Sequence, residues 1–222
     1  MSERIVFSTN DHVEIVGTYT PVPQAQAVVL CLHMMPDDRT SWALVQEALA
    51  QQGLASLAID LRGHGDSTRK GDAVLDFRVF ADADHQQSAE DVRGALAWLV
   101  SKGFRMEHVG LMGASIGANL ALRAMAEFSP LPVGVLLSPG ANYRGITSLD
   151  AVTRLRDPQA IFVAASAIDD QVSFEDAKTL VARASLSRKR FAQGRNIGHG
   201  VRMFSAKPAL LIEAIEWLTS HT

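Results

Sequence analysis

The sequence predicts an α/β fold, a mostly parallel central sheet with helices on both faces. Three observations carry this. From residue 27 onward, short apolar runs alternate with segments of helical spacing, which calls for right-handed crossovers between parallel strands. Several of those runs are apolar without a break, as expected of strands covered on both faces. No internal repeat and no Pro-, Ser- or Gly-rich linker divides the chain, so residues 1–222 read as one domain. A chain of this length buries about 70% of its unfolded surface, ample for a core without a metal or disulfide staple.

The elements follow in order. Residues 13–19 read as an early strand between Asn10-Asp11 and Pro21. Residues 27–32 are a buried strand. Residues 41–52 have helical spacing at Leu44, Val45, Ala48 and Leu49, and Gly53 stops them. Residues 54–60 are the next buried strand, and the polar stretch 61–83 is a loop. A helix over 88–102 places Val92, Ala95, Leu96 and Leu99 on one face. A strand over 108–112 runs into a helix over 116–128, closed by Ser129-Pro130. Then come a strand at 133–137, a loop at 138–145 and a short helix at 148–155. A strand at 160–165, a helix at 174–183, a strand at 189–193 and a helix at 208–219 complete the chain. The sheet should have about eight strands, the first ones antiparallel.

Composition narrows the function. Lys and Arg number 21 against 24 Asp and Glu, a net charge of −3. That balance offers no electrostatic footprint for nucleic acid or an anionic membrane. No apolar run approaches the ~18 residues of a membrane span. The N-terminus lacks the layout of a signal peptide, and the single cysteine, Cys31, has no internal partner. A cytoplasmic location is the expectation.

In such sheets ligands sit beyond the carboxyl ends of the strands. The sharpest feature there is Gly113-Ala114-Ser115-Ile116-Gly117, between a predicted strand and a predicted helix. Glycines two before and two after the serine remove side chains from a tight strand-to-helix turn. The hydroxyl then projects at a helix N-terminus, where free N–H groups favour developing negative charge. No loop carries the Lys-Ser/Thr ending of a phosphate-binding loop, and G-x-G-x-x-G is absent.

A serine hydroxyl needs a base titrating near neutrality, and histidine supplies it. Of seven histidines, His199 lies between Gly198 and Gly200, just past a strand. His33 and His64 also follow strands but precede the serine. The base needs an orienting carboxylate. Asp169 and Asp170 lie between Ser115 and His199 and follow a strand; Asp170 is preferred, with Asp169 the alternative. The order Ser, then Asp, then His is that of one recurrent triad. Oxyanion donors would be the N–H groups of Ile116 and Met35, worth about 3 kcal/mol each. His33, Met34 and Tyr143 are candidates for the substrate pocket, and Met35, Trp42, Phe77 and Phe80 could join Tyr143 against an acyl chain. For each of these, core packing is the competing expectation.

With these residues in place, the chain resembles the α/β-hydrolase family, in particular small bacterial members related to dienelactone hydrolases and serine carboxylesterases. The resemblance runs from the strand before His33 to the last helix. It rests on His33-Met34-Met35-Pro36, the segment from Arg62 to Ser67, the Gly113–Gly117 elbow, Asp169-Asp170-Gln171-Val172 and Gly198-His199-Gly200. The family usually has glycine where Met34 stands. Dienelactone hydrolases use cysteine at the elbow, whereas here the residue is Ser115, and Cys31 belongs to a buried strand. The segment 138–159 is too short for a folded cap domain.

The resemblance implies a serine hydrolase acting on a carboxylic ester or thioester through an acyl-enzyme, with no metal and no organic cofactor. A peptidase or amidase with the same triad is the near alternative. A catalytically silent binding protein on the same fold is the alternative from another class, and haloperoxidase- or lyase-type chemistry is a third. The partner would be a small molecule, and an exposed edge strand leaves room for a homodimer.

Overall fold

The computed structural model describes residues 1–168 and 170–222, Gln171 by its backbone alone. The chain opens with the antiparallel strands β1 (Glu3–Ser8) and β2 (Val13–Thr20), then β3 (Val28–Leu32), α1 (Ala43–Gln51) and β4 (Ala55–Ile59). A small hairpin follows, β5 (Arg69–Lys70) and β6 (Ala73–Val74), then α2 (Asp82–Gln86) and α3 (Ser88–Ser101). The middle of the chain is β7 (Val109–Ala114), α4 (Ile116–Glu127) and β8 (Val133–Leu137). Next come a second hairpin, β9 (Asn142–Tyr143) and β10 (Ile146–Thr147), and α5 (Leu149–Arg154). The last elements are β11 (Ala160–Ser166), α6 (Gln171–Arg183), β12 (Arg188–Gly194), α7 (Arg202–Ala206) and α8 (Pro208–Thr219).

The main sheet of the described residues runs β12-β11-β8-β7-β3-β4-β2-β5-β6, with β1 added on β2. From β12 to β4 every pairing is parallel, whereas β2, β1 and the β5–β6 hairpin pair antiparallel. The mostly parallel sheet with antiparallel first strands is therefore as the sequence predicts. Every residue of β3, β4, β7, β8 and β11 is buried, because helices cover both faces. One core layer joins Leu30, Leu32, Leu57, Leu111 and Leu136 to α3 and α4. The other joins Val29, Cys31, Met112, Val135 and Phe162 to α1 and α8.

The structure adds elements to the predicted set. β1 alternates exposed and half-buried positions, and its Ile5 and Phe7 pack on the first core layer. The predicted loop 61–83 contains the β5–β6 hairpin, and the β9–β10 hairpin starts inside the predicted loop 138–145 and runs past it to Thr147; the strands are two residues each. The segment 138–159 holds only the β9–β10 hairpin and α5, and no cap domain.

The polar segment after β4 is tied inward. Asp60 accepts hydrogen bonds from the Arg39 and Asp66 backbone N–H groups and pairs with the Arg39 guanidinium. Arg62 is buried, forks onto Asp91 at 2.8 and 2.9 Å, and reaches Asp11 at 2.8 Å. Its bonds hold the Asp11 carboxyl well below the usual carboxylate range. Without Asp91 the buried Arg62 guanidinium keeps only the partly exposed Asp11 and loses its buried counter-charge. Asp91→Ala should therefore lower the unfolding free energy by about 3–5 kcal/mol in urea titration. A loss below about 1 kcal/mol would show that Asp11 and water suffice for Arg62.

Candidate active site

The elbow is built by two close approaches. A Cβ on Gly113 would run into the backbone of Gly117, and one on Gly117 would run into the carbonyls of Leu32 and His33. Glycine at both positions lets α4 start immediately after β7 and lie against the end of β3. Between them Ser115 takes φ 53°, ψ −118°, a conformation that side chains rarely adopt. Such strain costs about 1–3 kcal/mol and persists only where surrounding structure enforces it. Here the Ser115 N–H donates to Leu137 at 2.8 Å, and its carbonyl accepts from Ala118 at 2.9 Å and Asn119 at 3.2 Å. Ser115 is half-buried at the N-cap of α4. As the first residues of that helix, Ile116 and Gly117 have no intrahelical carbonyl for their N–H groups.

Asp170 caps α6, its Oδ1 accepting from the Ser173 N–H at 3.3 Å. Its Oδ2 is hydrogen-bonded by both His199 Nδ1 and the Ser173 hydroxyl. Burial pushes the Asp170 carboxyl up, but the His199 and Ser173 bonds outweigh this and hold it below its ordinary value. The carboxylate can only accept, so His199 carries its proton on Nδ1 and presents the Nε2 lone pair. The loops bearing the two groups are joined, with Ala167 N–H on Gly194 and Ile168 N–H on Arg195, both at 2.9 Å. The pair is open to solvent, with side chains 31% and 17% exposed. Asp169, the alternative acid, lies outside the described residues.

The His199 loop is pinned beside the elbow. Gly198 and Gly200 take φ 81° and 59°. The Gly200 N–H donates to Ser138 Oγ at 3.0 Å, and a Cβ there would meet Met34 Sδ and, at 3.2 Å, the Cβ of Ala114. Ala114 immediately precedes Ser115. The structure thus brings Ser115, Asp170 and His199 to the carboxyl ends of β7, β11 and β12. The loop after β3, carrying Met35, meets the start of α4 there through Gly117.

Three pocket expectations are corrected. His33 is fully buried, its Nδ1 bonded to the Met34 carbonyl at 2.9 Å and its Nε2 accepting from the Leu61 N–H at 3.0 Å. It props the β3 and β4 loops and has no face for a substrate. Met34 is buried in the core layer beneath Gly200, because its side chain turns inward from the loop. Trp42 is buried in the same layer. Tyr143 does stand at the site, half-buried, its hydroxyl donating to the Ser138 carbonyl at 3.3 Å. Phe77 stacks on His64 at 3.9 Å. A groove of about 320 Å³ between α1 and α8 includes none of these residues.

Sequence reasoning passed over Asn119. Buried one turn after Ser115, it donates to the carbonyls of Gly140 at 2.9 Å and Ile146 at 2.7 Å and accepts from the Gly140 N–H at 3.2 Å. The signal was an amide on the apolar face of an otherwise aliphatic helix. Ser173 and Ser138 were also missed as partners of the acid and of the base loop.

Among the described residues, no group of three or more His, Cys, Asp or Glu is placed to hold a metal ion. No described helix is long and apolar enough to cross a membrane.

Residues 29–218 match the model of the alpha/beta hydrolase family, and the chain belongs to that family. Its fold is that of known members. An esterase of Pyrococcus furiosus superposes with TM-score 0.81 at 19% identity over 100% of this chain and 93% of that one. A dienelactone hydrolase from Anabaena variabilis gives 0.79 at 21%, covering 100% and 98%. The α/β hydrolase GrgF from Penicillium gives 0.83 at 15%, covering 100% and 99%. No curated protein matches the chain.

The buried imidazoles beneath the site make stability pH-dependent. Burial holds His33 down at about 4 and His64 at about 3, against 6.5 for a free imidazole. Below 6.5 the unfolded chain binds protons that the folded chain refuses, so stability falls with pH until the folded values are reached. His64→Phe keeps a ring against Phe77 and removes one such group. Between about pH 6 and 4.5 the wild type should lose about 1.4 kcal/mol more per pH unit than the variant. Equal slopes in urea unfolding would contradict a neutral, buried His64.

Proposed function

We propose that this α/β hydrolase cleaves carboxylic esters or thioesters through a Ser115 acyl-enzyme. The observation that carries the reading is the His199–Asp170 hydrogen bond on a loop packed beside the residue preceding Ser115. It supports a base held in one tautomer next to the hydroxyl of a strained residue at the N-cap position of α4.

The chemistry follows from those positions. Ser115 Oγ attacks the acyl carbon as its proton passes to His199 Nε2. Asp170 stabilises the imidazolium and stays ionised, as its depressed titration requires. The carbonyl oxygen becomes an oxyanion at the N-terminus of α4, where the Ile116 N–H meets it, with the Met35 N–H as second donor. The imidazolium then protonates the leaving alkoxide or thiolate. Water, deprotonated by His199, attacks the ester, and Ser115 Oγ leaves with the returned proton. The absence of a cap and the exposure of the pair favour a small substrate entering from solvent.

p-Nitrophenyl esters of rising chain length test this. Ser115→Ala and His199→Ala should each lower kcat by at least about a thousandfold, and Asp170→Asn by a similar factor, with circular dichroism unchanged. Undiminished hydrolysis by a folded Ser115→Ala protein would overturn the proposal.

A further inference from the structure

His33 is fully buried just past the end of β3, and its two ring nitrogens do different work. Nε2 accepts from the Leu61 N–H at 3.0 Å. Burial keeps the imidazole neutral, its titration held down at about 4, so its one proton sits on Nδ1. Nδ1 therefore donates, and the Met34 carbonyl accepts at 2.9 Å. The ring is held from the side as well. It meets His64 edge-on with centroids 4.9 Å apart, and His64 stacks on Phe77 at 3.9 Å.

The Met34 carbonyl and the Met35 N–H belong to one peptide group, and that group is trans. A trans peptide is planar, so its carbonyl and its N–H point in opposite directions. The carbonyl is turned inward onto a buried ring, which turns the Met35 N–H away from the core. Among the described residues no acceptor meets that N–H. The surroundings fix where the peptide lies. The Met34 side chain is buried beneath Gly200, and Gly117 in the first turn of α4 packs on the carbonyls of Leu32 and His33.

We propose that His33 is a positioning residue for the oxyanion hole: by holding the Met34 carbonyl inward, its Nδ1–H keeps the Met35 N–H turned toward the oxygen of the acyl group on Ser115. This rests on the reading of Ser115 as the nucleophile and Met35 as the second donor. Without the bond the peptide is free to flip. A flip puts a carbonyl where the donor was and sets an acceptor against the developing negative charge. His33 touches no substrate and makes and breaks no covalent bond.

Two amide side chains separate the two bonds of the ring. In His33→Asn the side-chain NH2 stands near the place of Nδ1 and still donates to Met34, whereas the Leu61 N–H loses its acceptor. In His33→Gln the side-chain oxygen stands near the place of Nε2 and still accepts from Leu61, whereas the Met34 carbonyl loses its donor. Each variant lacks one buried hydrogen bond, so both should lower the melting temperature by a similar amount, roughly 3–8 °C. On p-nitrophenyl esters kcat should fall at least about tenfold in His33→Gln with KM unchanged, and less than about threefold in His33→Asn. An alkyl trifluoromethyl ketone forms an adduct with Ser115 that carries an oxyanion. Its Ki should rise in His33→Gln by the factor that kcat/KM falls. Equal kcat losses in the two variants would make the ring merely structural and overturn the inference. So would wild-type kcat in His33→Gln, or a loss confined to His33→Asn. A second measurement needs no variant. In wild-type protein labelled with 15N-methionine and 15N-histidine, adduct formation should move the Met35 amide proton and, through the polarised peptide, the His33 Nδ1 proton downfield. If either proton stays where it was, the inference fails. A folded wild type that neither hydrolyses esters nor binds the ketone would overturn the hydrolase reading, and this inference with it.

Discussion

The start of α4 lies against the end of β3 so closely that nothing larger than hydrogen fits at Gly117. Leu32 and His33 present their backbone carbonyls there, and Gly113 faces Gly117 from the other side. Backbone against backbone leaves no side chain to yield, so the turn between β7 and α4 has one geometry. That geometry forces Ser115 to positive φ and lifts its side chain off the sheet. It also sets the first turn of α4 against the backbone at the end of β3. The strain at Ser115 is offset by the burial of α4, nine of whose twelve residues are inside the protein.

The rest of the site is organised by polar bonds from rigid elements to loops. Asn119 fixes the loop after β8, Ser138 fixes the His199 loop, and Ser166 fixes it again by accepting from the Ile197 N–H at 3.1 Å. Each of these groups lies buried, where an unmade hydrogen bond would cost about 1–3 kcal/mol. Loops held this way can stay open to solvent and still carry a defined His–Asp pair. That is the arrangement an uncapped α/β hydrolase needs, because no second domain presses its loops into place.

Much of this was legible in the sequence where one local force decides the outcome. The strands β3 and β8 are unbroken apolar runs, β4 is interrupted only by Ser56 and β11 is apolar up to Ser166, and such runs have few alternatives to a covered parallel sheet. The elbow was legible because its glycines answer a steric demand that no other residue meets. The two-residue strands β5, β6, β9 and β10 carry no periodic signal. Their hairpins exist because of turn conformations at Gly71 and at Arg144-Gly145 and because of bonds from distant residues. β1 was hidden because it covers only one side of β2 and alternates weakly. Position after a strand singled out His33 and Met34, but it does not say which way a side chain turns. Both turn inward, His33 because two backbone groups satisfy its ring and Met34 because Gly200 leaves space above it.

The most direct measurement is the site of covalent capture. The wild type is treated with a fluorophosphonate, digested, and mapped by peptide mass spectrometry, with His199→Ala run beside it. The expected result is a phosphonyl group on Ser115, formed far more slowly when His199 is absent. A folded wild type that stays unmodified, or one modified on another residue, would contradict a Ser115 nucleophile activated by the His199–Asp170 pair.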